Sequence, residues 1–356
     1  MALFDPGRPV RTWLQGVAVL YGLVVRIRLW CYRRGWLASS RLPCRVVSVG
    51  NLTVGGTGKT PIVILLTEWL QVEGQKVAVL SRGYKRTGTA SHLLVSDGTR
   101  LLADPSEAGD EPFLIARRCP RAVVAVGSDR VALGRWVLEQ FPVDCILLDD
   151  GFQHLPLQRD VDLVLLDATD ATGLDAMLPA GRLREPLSGL ARATAVVITR
   201  ADSNDDVQAI RRRLQSIPGP TPDPVEVVFR PESLVSVLTE ESILLDGYRG
   251  KKTWLVSGIG NSGSFHRSVA SSGVAVVGET TFPDHHDYRA EEVLRIKTQA
   301  QAVGADLVLT TEKDAGKLAP LLAPGDSWWA LRIRADVVRG EEQLRRLVLG
   351  NEDKAR

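Results

Sequence analysis

A glycine-rich segment that ends in lysine and threonine carries the strongest chemical signal in this sequence. The segment GNLTVGGTGKTP (50–61) lies between the β-branched run CRVVSVG (44–50) and the helical pattern IVILLTEWLQ (62–71). In a strand, loop and helix of this kind, glycines let the backbone approach a polyphosphate and free amides at the helix start bind it. Lys59 is predicted to reach the β- and γ-phosphates, and Thr60 to ligate Mg²⁺.

This loop departs from the usual GxxxxGK[ST] spacing at one position. Thr53 stands where the first glycine is expected, and the glycines of the loop are shifted toward the helix. A glycine-rich turn without nucleotide is the alternative, but the flanking strand and helix favour nucleotide binding. The residues predicted to bind ATP are Thr53, Val54, Gly55, Gly56, Thr57, Gly58, Lys59 and Thr60.

A second acidic element supports this interpretation. The hydrophobic run DCILLDD (144–150) ends in Asp149 and Asp150, where a carboxylate is placed to hold Mg²⁺ directly or through water. An acid at a strand end is alternatively a turn former or a helix cap. Gln153 and His154 follow, and they are predicted to orient water or substrate at the carboxyl edge of the sheet.

The loop alone does not name a reaction, because many protein classes use it. A guanine-reading NKxD motif has two imperfect matches, ITRAD (198–202) and TEKD (311–314), and both are also typical of strand-end turns. These observations favour ATP. A GTPase or ATPase switch, or a metallochaperone-type protein, remains the alternative function.

The elements that must position these residues alternate between strands and helices. The predicted strands are 44–50, 76–83, 122–127, 144–150, 162–168, 195–199, 252–260, 273–282 and 305–312, with a helix at 289–303. Near-continuous apolar runs belong to strands that are buried on both faces, so the fold class is α/β. We predict a P-loop NTPase-like, mostly parallel sheet flanked by helices, with a second, smaller α/β lobe.

The predicted division of the chain is contiguous. It assigns 1–40 to an N-terminal amphipathic helix, 41–215 to the P-loop core, 216–235 to a proline-rich linker and 236–356 to the second lobe. The 356 residues are 44% hydrophobic and 24% charged, which excludes disorder and a polytopic membrane protein. The four cysteines are widely spaced, which argues against zinc and disulfides and favours a reducing compartment.

The net charge of +2 hides an asymmetry between the N-terminal segment and the rest of the chain. Residues 1–50 hold eight arginines, no lysine and one acid, so they carry +7, and the remainder carries −5. A helix over 12–36 groups polar residues on one side and apolar residues on the other. The polar side comprises Arg11, Gln15, Gly22, Arg26 and Arg33, and the apolar side comprises Trp13, Val17, Leu20 and Val24.

This pattern predicts an amphipathic helix in a bilayer interface, where arginine meets phosphates and tryptophan lies at headgroup depth. Its apolar stretch, Gly16 to Val25, is about half of the roughly 20 residues that a spanning helix needs, which argues against a full span. A helix packed on its own domain is the alternative. Nucleic acid is not expected as a partner.

Several further polar motifs, together with the P-loop, resemble one family: the tetraacyldisaccharide 4′-kinases, which phosphorylate the lipid A precursor of Gram-negative bacteria. The motifs are SRGYKR (81–86), GDEP (109–112), DDGFQH (149–154), GRLREP (181–186), SGIGN (257–261), FPDHHDY (282–288) and TEKD (311–314). The resemblance implies a kinase that uses ATP and Mg²⁺ and acts on a 4′-hydroxyl of a tetraacylated glucosamine disaccharide 1-phosphate, giving lipid IVA. It also implies a peripheral enzyme at the cytoplasmic side of the inner membrane, held there through residues 1–40, with no obligatory protein partner.

The resemblance also implies site residues. Asp110 matches the family's catalytic acid and His285 its catalytic histidine, a pairing in which a carboxylate accepts the hydroxyl proton and an imidazole positions it. Without the family, Asp110 is typical of a helix N-cap. Arg184 and Glu185 match the family's RE pair, Arg184 as a phosphate contact and Glu185 as a metal ligand. Glu111 is a further candidate metal ligand beside Asp149 and Asp150. His286 is a candidate substrate or structural contact, and Arg82 is either a phosphate contact or part of a solvated loop.

Overall fold

The computed structural model describes residues 8–84, 86, 90–217 and 223–350, with side chains from residue 13 onward. In chain order, its strands are β1 (Arg45–Asn51), β2 (Val77–Ser81), β3 (Leu93–Asp97), β4 (Val123–Val126), β5 (Cys145–Asp149), β6 (Val161–Asp167), β7 (Ala195–Thr199), β8 (Val225–Ser236), β9 (Ser242–Leu244), β10 (Lys252–Ser257), β11 (Ala275–Thr281), β12 (Leu307–Thr311) and β13 (Trp328–Arg339). The α-helices are α1 (Arg8–Arg33), α2 (Lys59–Val72), α3 (Pro105–Ala108), α4 (Asp110–Arg118), α5 (Arg130–Gln140), α6 (Asn204–Gln215), α7 (Ser262–Ser271), α8 (Ala290–Ala302), α9 (Glu312–Leu318) and α10 (Glu341–Leu349).

The predicted α/β class and mostly parallel sheet are confirmed. Each predicted strand is present, as β1, β2, β4 to β7 and β10 to β12, and the predicted helix at 289–303 is α8. The sequence did not predict β3, β8, β9 or β13. Part of the segment 216–235, predicted as a linker, is strand β8, while residues 218–222 lie outside the described part of the chain.

The first compact unit comprises the described residues of 1–80, 129–228 and 337–356. Its strands lie in the order β8-β7-β6-β1-β5-β2, of which β8 contributes only residues 225–228, and all neighbouring pairs are parallel. Strand β1 is central and almost wholly buried, with Val49 in register with Asp149 on one side and Leu163 on the other. Because parallel strands end at the same edge of a sheet, this register places the P-loop beside the acids that follow β5.

The second compact unit comprises the described residues of 81–128 and 229–336. It holds the parallel set β11-β10-β12-β13, and β3 pairs antiparallel with β4. Helix α4 packs on α9, and Gly316 permits the approach, since a Cβ there would lie 3.1 Å from Pro105 and 3.3 Å from Phe113. The segment 81–128, which the contiguous division placed within 41–215, belongs to this unit because the chain leaves the first unit after β2 and re-enters it before α5.

Helix α1 combines a buried side and an exposed apolar side. Ala18, Gly22 and Leu29 are buried, and Gly22 lies against Met177 although the predicted arc placed it among polar residues. Trp13, Leu20 and Val24 are each more than 60% exposed. By length and composition alone, Trp13–Arg33 is long and apolar enough to cross a membrane. The shorter run Gly16 to Val25 did not indicate this, because the helix continues past Arg26 and Arg28.

Candidate active site

The P-loop turns directly into helix α2. Gly58 precedes the helix with φ +83°, a left-handed conformation that glycine adopts without steric cost, and Lys59 and Thr60 are the first helical residues. The first amides of a helix have no intrahelical acceptor, so they are available to an anion. The helix start therefore leaves main-chain amides available next to Lys59 and Thr60, the two residues for which phosphate and Mg²⁺ contacts were predicted.

The segment GRLREP (181–186) lies along this loop. The amide of Val54 donates to the carbonyl of Arg182 at 2.8 Å, and the amide of Arg184 donates to the carbonyl of Leu52 at 2.7 Å. Thr53 forms a β-bridge with Leu183. A motif that lies more than 120 residues away in sequence is thus fixed to the P-loop by main-chain hydrogen bonds.

Asp150 is held by two cations. Arg184 donates to it through two nitrogens at 2.8 and 2.9 Å, and Lys59 Nζ lies 3.6 Å from its Oδ1. Burial opposes ionisation, but Lys59 and Arg184 outweigh it and lower the pKa of Asp150 well below its usual range. Asp150 is therefore ionised, with both oxygens engaged by Arg184.

Asn51 links the same cations to the end of β1. The Nη2 of Arg184 donates to the Asn51 carbonyl at 2.9 Å and also contacts its Oδ1, which accepts from Lys59 Nζ at 3.4 Å. The side-chain amide of Asn51 donates to the carbonyl of Thr53 at 2.8 Å. Asn51 was not predicted, because a strand-end asparagine carries no distinctive spacing signal.

Glu185 and Gln153 form a neighbouring buried pair. Glu185 is 2% exposed and accepts hydrogen bonds from Gln153 Nε2 at 2.7 Å and Arg192 Nη2 at 2.8 Å. Gln153 Nε2 also donates to the Asn51 carbonyl at 2.9 Å. Burial, assisted by the charge of Arg130, lowers the pKa of His154 to about 4, so this imidazole is neutral at pH 7.

Helix α1 contacts this cluster through Tyr21, which is half-buried, and Arg28, which is exposed. The hydroxyl of Tyr21 donates to the carbonyl of Arg184 at 2.9 Å, and Arg28 Nη2 donates to the carbonyl of Gln153 at 3.2 Å. The N-terminal helix is therefore bonded to the same two segments, 181–186 and 149–154, that surround Asp150.

A second cluster lies within the second unit. Asp110 begins α4, and its Oδ2 lies 3.1 Å from His285 Nδ1 and 2.7 Å from Lys317 Nζ. Burial raises the pKa of Asp110, but hydrogen bonds from His285 and Lys317 outweigh it, so the net pKa is lowered. Asp110 and His285, the two residues that the motif resemblance implied as catalytic, are 175 positions apart in sequence and are in contact.

Lys313 determines how His285 is bonded. Its Nζ lies 3.3 Å from His285 Nε2, 3.0 Å from Asp284 Oδ1 and 3.4 Å from Glu111 Oε1. An ammonium can only donate, so Nε2 accepts from Lys313, and Nδ1 donates to the Asp110 carboxylate. Burial opposes the charge of Lys313, but Glu111 and Asp284 outweigh it and raise its pKa.

The two adjacent histidines have different surroundings. His286 stacks on Phe282 with ring centroids 4.4 Å apart, and its Nε2 lies 2.9 Å from Glu292. His285 instead contacts Asp110 and has the ring of Tyr84 at 5.2 Å. Of the two, only His285 is bonded to the carboxylate at the start of α4 in the described part of the chain.

The remaining predicted residues are placed as follows. Thr60 is buried in the first turn of α2, Asp149 is 1% exposed at the end of β5, and Arg82 is exposed. Lys85 of the SRGYKR motif lies outside the described residues. Within the ranges that the structure describes, no group of three His, Cys, Asp or Glu residues is arranged to hold a metal ion.

Comparison with known proteins gives a consistent result. The family model described as tetraacyldisaccharide-1-P 4′-kinase matches residues 10–351. A tetraacyldisaccharide 4′-kinase of Anaeromyxobacter sp. (strain Fw109-5) is 41% identical over 88% of this chain and 84% of its own length. Another from Syntrophus aciditrophicus (strain SB) is 38% identical over 89% of this chain and 88% of its own length.

One solved structure is similar over nearly its whole length. The crystal structure of the "apo" form of LpxK from Aquifex aeolicus in complex with ATP matches with a TM-score of 0.76 and 32% identity. The match covers 95% of this chain and 98% of that one. It confirms the predicted fold class.

Proposed function

Because this chain belongs to the tetraacyldisaccharide-1-P 4′-kinase family, we propose that it transfers the γ-phosphoryl group of ATP to the 4′-hydroxyl of a tetraacylated glucosamine disaccharide 1-phosphate. The product is the 4′-phosphorylated lipid A precursor, lipid IVA. The observation that carries the proposal at the residue level is the contact between His285 and Asp110 at 3.1 Å.

The reaction forms a bond between the 4′-oxygen and the γ-phosphorus and breaks the bond to the β–γ bridging oxygen, so ADP leaves. The proton of the 4′-hydroxyl goes to the Asp110 carboxylate, which its hydrogen bonds keep ionised. His285 donates through Nδ1 and thereby fixes the orientation of that carboxylate. Lys59 and the P-loop amides bind the phosphates of ATP.

The oxygen donors near the P-loop fit Mg²⁺, which does not need a closed cage of protein ligands. Mg²⁺ usually takes one or two protein oxygens and completes its shell with water and substrate phosphates. The Thr60 hydroxyl and the Asp149 carboxylate would hold it, whereas Asp150 is bound to Arg184, and Glu185 to Arg192 and Gln153. When bound, the metal neutralises charge that develops on the transferring phosphoryl group.

The test is direct phosphoryl transfer. Purified protein is incubated with radiolabelled Mg-ATP and the disaccharide 1-phosphate, and labelled lipid is separated by thin-layer chromatography. We expect transfer by the wild type and a loss of two to four orders of magnitude in kcat for Asp110→Asn, with ATP affinity retained. Absence of labelled lipid would refute the proposed function. Tighter binding of GTP than ATP, with turnover that needs no lipid, would instead support a nucleotide switch.

We further propose that α1 lies in the cytoplasmic surface of the inner membrane. The exposed apolar side chains of Leu20, Leu23 and Val24 support this, since a patch of this kind on a basic helix is typical of an interfacial anchor. Replacing Leu20 and Leu23 together by glutamine should reduce co-sedimentation with vesicles of anionic phospholipid several-fold. Val72→Gln, at a residue 78% exposed on α2, is the matched control. Equal co-sedimentation of the double variant and wild type would contradict an anchoring role.

A further inference from the structure

The segment ITRAD (198–202) has no role in the chemistry described so far, and the structure gives it one. It begins with the last two residues of β7, where Thr199 is fully buried, and Arg200, directly after the strand, has a positive φ of 54°. A left-handed backbone is costly for a non-glycine residue and persists where surrounding contacts enforce it. Four described non-glycine residues have a positive φ: Asp150 and His285, which belong to the clusters above, Arg200, and Glu240, which lies outside them. The contacts that hold Arg200 in this conformation are therefore the relevant observation.

Thr199 and Arg200 both donate to carbonyl groups of the P-loop. The hydroxyl of Thr199 donates to the carbonyl of Thr57 at 2.8 Å, and Nη1 of Arg200 donates to the carbonyl of Gly56 at 3.0 Å. The same Nη1 pairs with Asp167, whose side chain is 8% exposed. Asp167 is fixed in turn, because its Oδ1 accepts from the amide and hydroxyl of Thr169 at 3.0 and 2.8 Å.

A second arginine holds the opposite end of the loop. Arg182 donates through Nε and Nη2 to the carbonyl of Val54 at 3.1 and 2.8 Å, and its Nη1 pairs with Asp170 at 2.8 Å. The arginines of two arginine–aspartate pairs therefore donate to loop carbonyls, that of Val54 before Gly55 and that of Gly56 after it. Arg182 is 47% exposed, whereas Arg200 is 13% exposed, so the second pair is the better shielded from solvent.

Fixing carbonyls also fixes amides. In a trans peptide the carbonyl of one residue and the N–H of the next point in opposite directions. With the carbonyls of Val54 and Thr57 bonded to Arg182 and Thr199, the amides of Gly55 and Gly58 point away from those partners. The amide that shares a peptide plane with the Gly56 carbonyl is that of Thr57, and it donates to the Gly55 carbonyl at 3.1 Å. The contact of Arg200 with Gly56 therefore fixes the turn that lies between the amides of Gly55 and Gly58. Main-chain amides directed toward one point make an anion-binding concavity.

We propose that Arg200 is a positioning residue for the nucleotide phosphates: it holds the P-loop carbonyl of Gly56 and thereby fixes the loop backbone that presents the amides of Gly55 and Gly58 to an anion. The proposal rests on the proposed use of this loop for ATP. It assigns the ITRAD segment to the phosphates rather than to the base, because Nη1 is engaged by the Gly56 carbonyl and Asp167.

The test measures binding of nucleotides and of tripolyphosphate alone by calorimetry, which does not require lipid phosphorylation. Arg200→Gln removes charge-assisted hydrogen bonds, so we expect dissociation constants for ATP, GTP and tripolyphosphate to rise by about the same factor, on the order of tenfold. Arg200→Lys should recover part of the loss, because it restores charge without the planar fork. Asp167→Asn should weaken binding in the same direction while leaving the guanidinium in place.

The matched control is Arg211→Gln. Arg211 is 17% exposed and pairs with Asp223 and Glu226, so it resembles Arg200 in burial and pairing but does not contact the P-loop. We expect its nucleotide affinity to equal that of the wild type.

Unchanged tripolyphosphate affinity in both Arg200→Gln and Asp167→Asn, with thermal unfolding confirming folded protein, would overturn the proposal. A changed ratio of ATP to GTP affinity with unchanged tripolyphosphate binding would also overturn it, since Arg200 would then act on the base. If the wild type binds ATP but phosphorylates no lipid, the proposed function fails while this inference stands.

Discussion

Replacing Lys317 by methionine removes a charge next to the proposed proton acceptor, together with the hydrogen bond that Lys317 donates to the His286 carbonyl at 3.1 Å. Lys317 Nζ lies 2.7 Å from Asp110 Oδ2, and the two side chains are 15% and 6% exposed. Methionine keeps an unbranched stem but removes the ammonium. Asp110 is then a buried carboxylate that retains the hydrogen bond from His285 and the more distant charge of Lys313.

The magnitude follows from the burial of this pair. Removing one partner of a buried ion pair costs about 3–5 kcal/mol when the other charge is left uncompensated. Because His285 and Lys313 remain, we expect Lys317→Met to lose about 2–3 kcal/mol of unfolding free energy at pH 8. Lys297→Met is the control, since Lys297 pairs with Asp326 at comparable exposure on another helix.

The loss should depend on pH in a defined direction. Burial raises the pKa of Asp110, but its cationic partners outweigh burial, so the net pKa is lowered in the wild type. The ionised carboxylate therefore stabilises the protein at pH values above the pKa that Asp110 has in the unfolded chain. This stabilisation is lost as the pH falls through the pKa of Asp110 in the folded protein. Without Lys317, burial is no longer outweighed to the same extent, and the pKa of Asp110 rises. The variant can then bind a proton and relieve the penalty as the pH falls. The difference in stability between wild type and variant should therefore be largest at pH 8 and shrink toward pH 5.

Two measurements check this reasoning. Thermal unfolding is followed at pH 5, 6.5 and 8 for wild type, Lys317→Met and Lys297→Met, and kcat/KM for phosphoryl transfer is followed over the same range. We expect the acidic limb of the rate profile to move to higher pH in Lys317→Met alone. A loss of stability that is equal at pH 5 and pH 8, together with an unmoved acidic limb, would refute the assigned role of Lys317.

Two further predictions follow from the same unit. His285→Gln should lower kcat at least a hundredfold with ATP affinity unchanged, whereas His286→Gln, which loses its contact with Glu292, should lower mainly thermal stability; equal kcat losses in steady-state assays would contradict this distinction. Gly316→Val should cost about 1–3 kcal/mol of unfolding free energy, because the valine side chain would clash with Pro105 and Phe113. The clash should also separate α9 from Asp110 and reduce kcat. An unchanged melting temperature and kcat would contradict this, since the helices would then accommodate the side chain.

Local spacing was sufficient to predict the parts of the site that the chain builds from neighbouring residues. The P-loop and the acids after β5 were found because a strand, a turn and a helix start occupy consecutive positions. The parallel core strands were found because their apolar runs are continuous, as in AVVIT (195–199). Strands β8 and β13 were missed because they carry charged side chains and are only partly buried, so their pattern differs from that of the central strands.

Local sequence spacing could not predict residues whose partners lie far away in the sequence. Lys313 and Lys317 stand four apart on α9, a spacing that places them on one helix face, but nothing in TEKD indicates that this face meets α4. Arg182 and Arg200 were likewise unassigned, because their bonds to the P-loop join segments more than 120 positions apart. The choice of His285 over His286 came from the family resemblance and not from spacing, since adjacent side chains differ only in what surrounds them.

The two clusters share a chemical arrangement that bears on how the reaction proceeds. Asp150 and Asp110 are each kept ionised by cations of their own unit, Lys59 and Arg184 for the first and Lys317 for the second. A carboxylate with a lowered pKa is a weak base, so Asp110 is poorly suited to remove a proton from a sugar hydroxyl before bond formation. Phosphoryl transfer does not demand this, because its transition state is loose and the hydroxyl becomes strongly acidic only as the new P–O bond forms. For the proposed reaction, the lowered pKa of Asp110 therefore favours late proton transfer, in which Asp110 orients the hydroxyl first and accepts its proton afterwards.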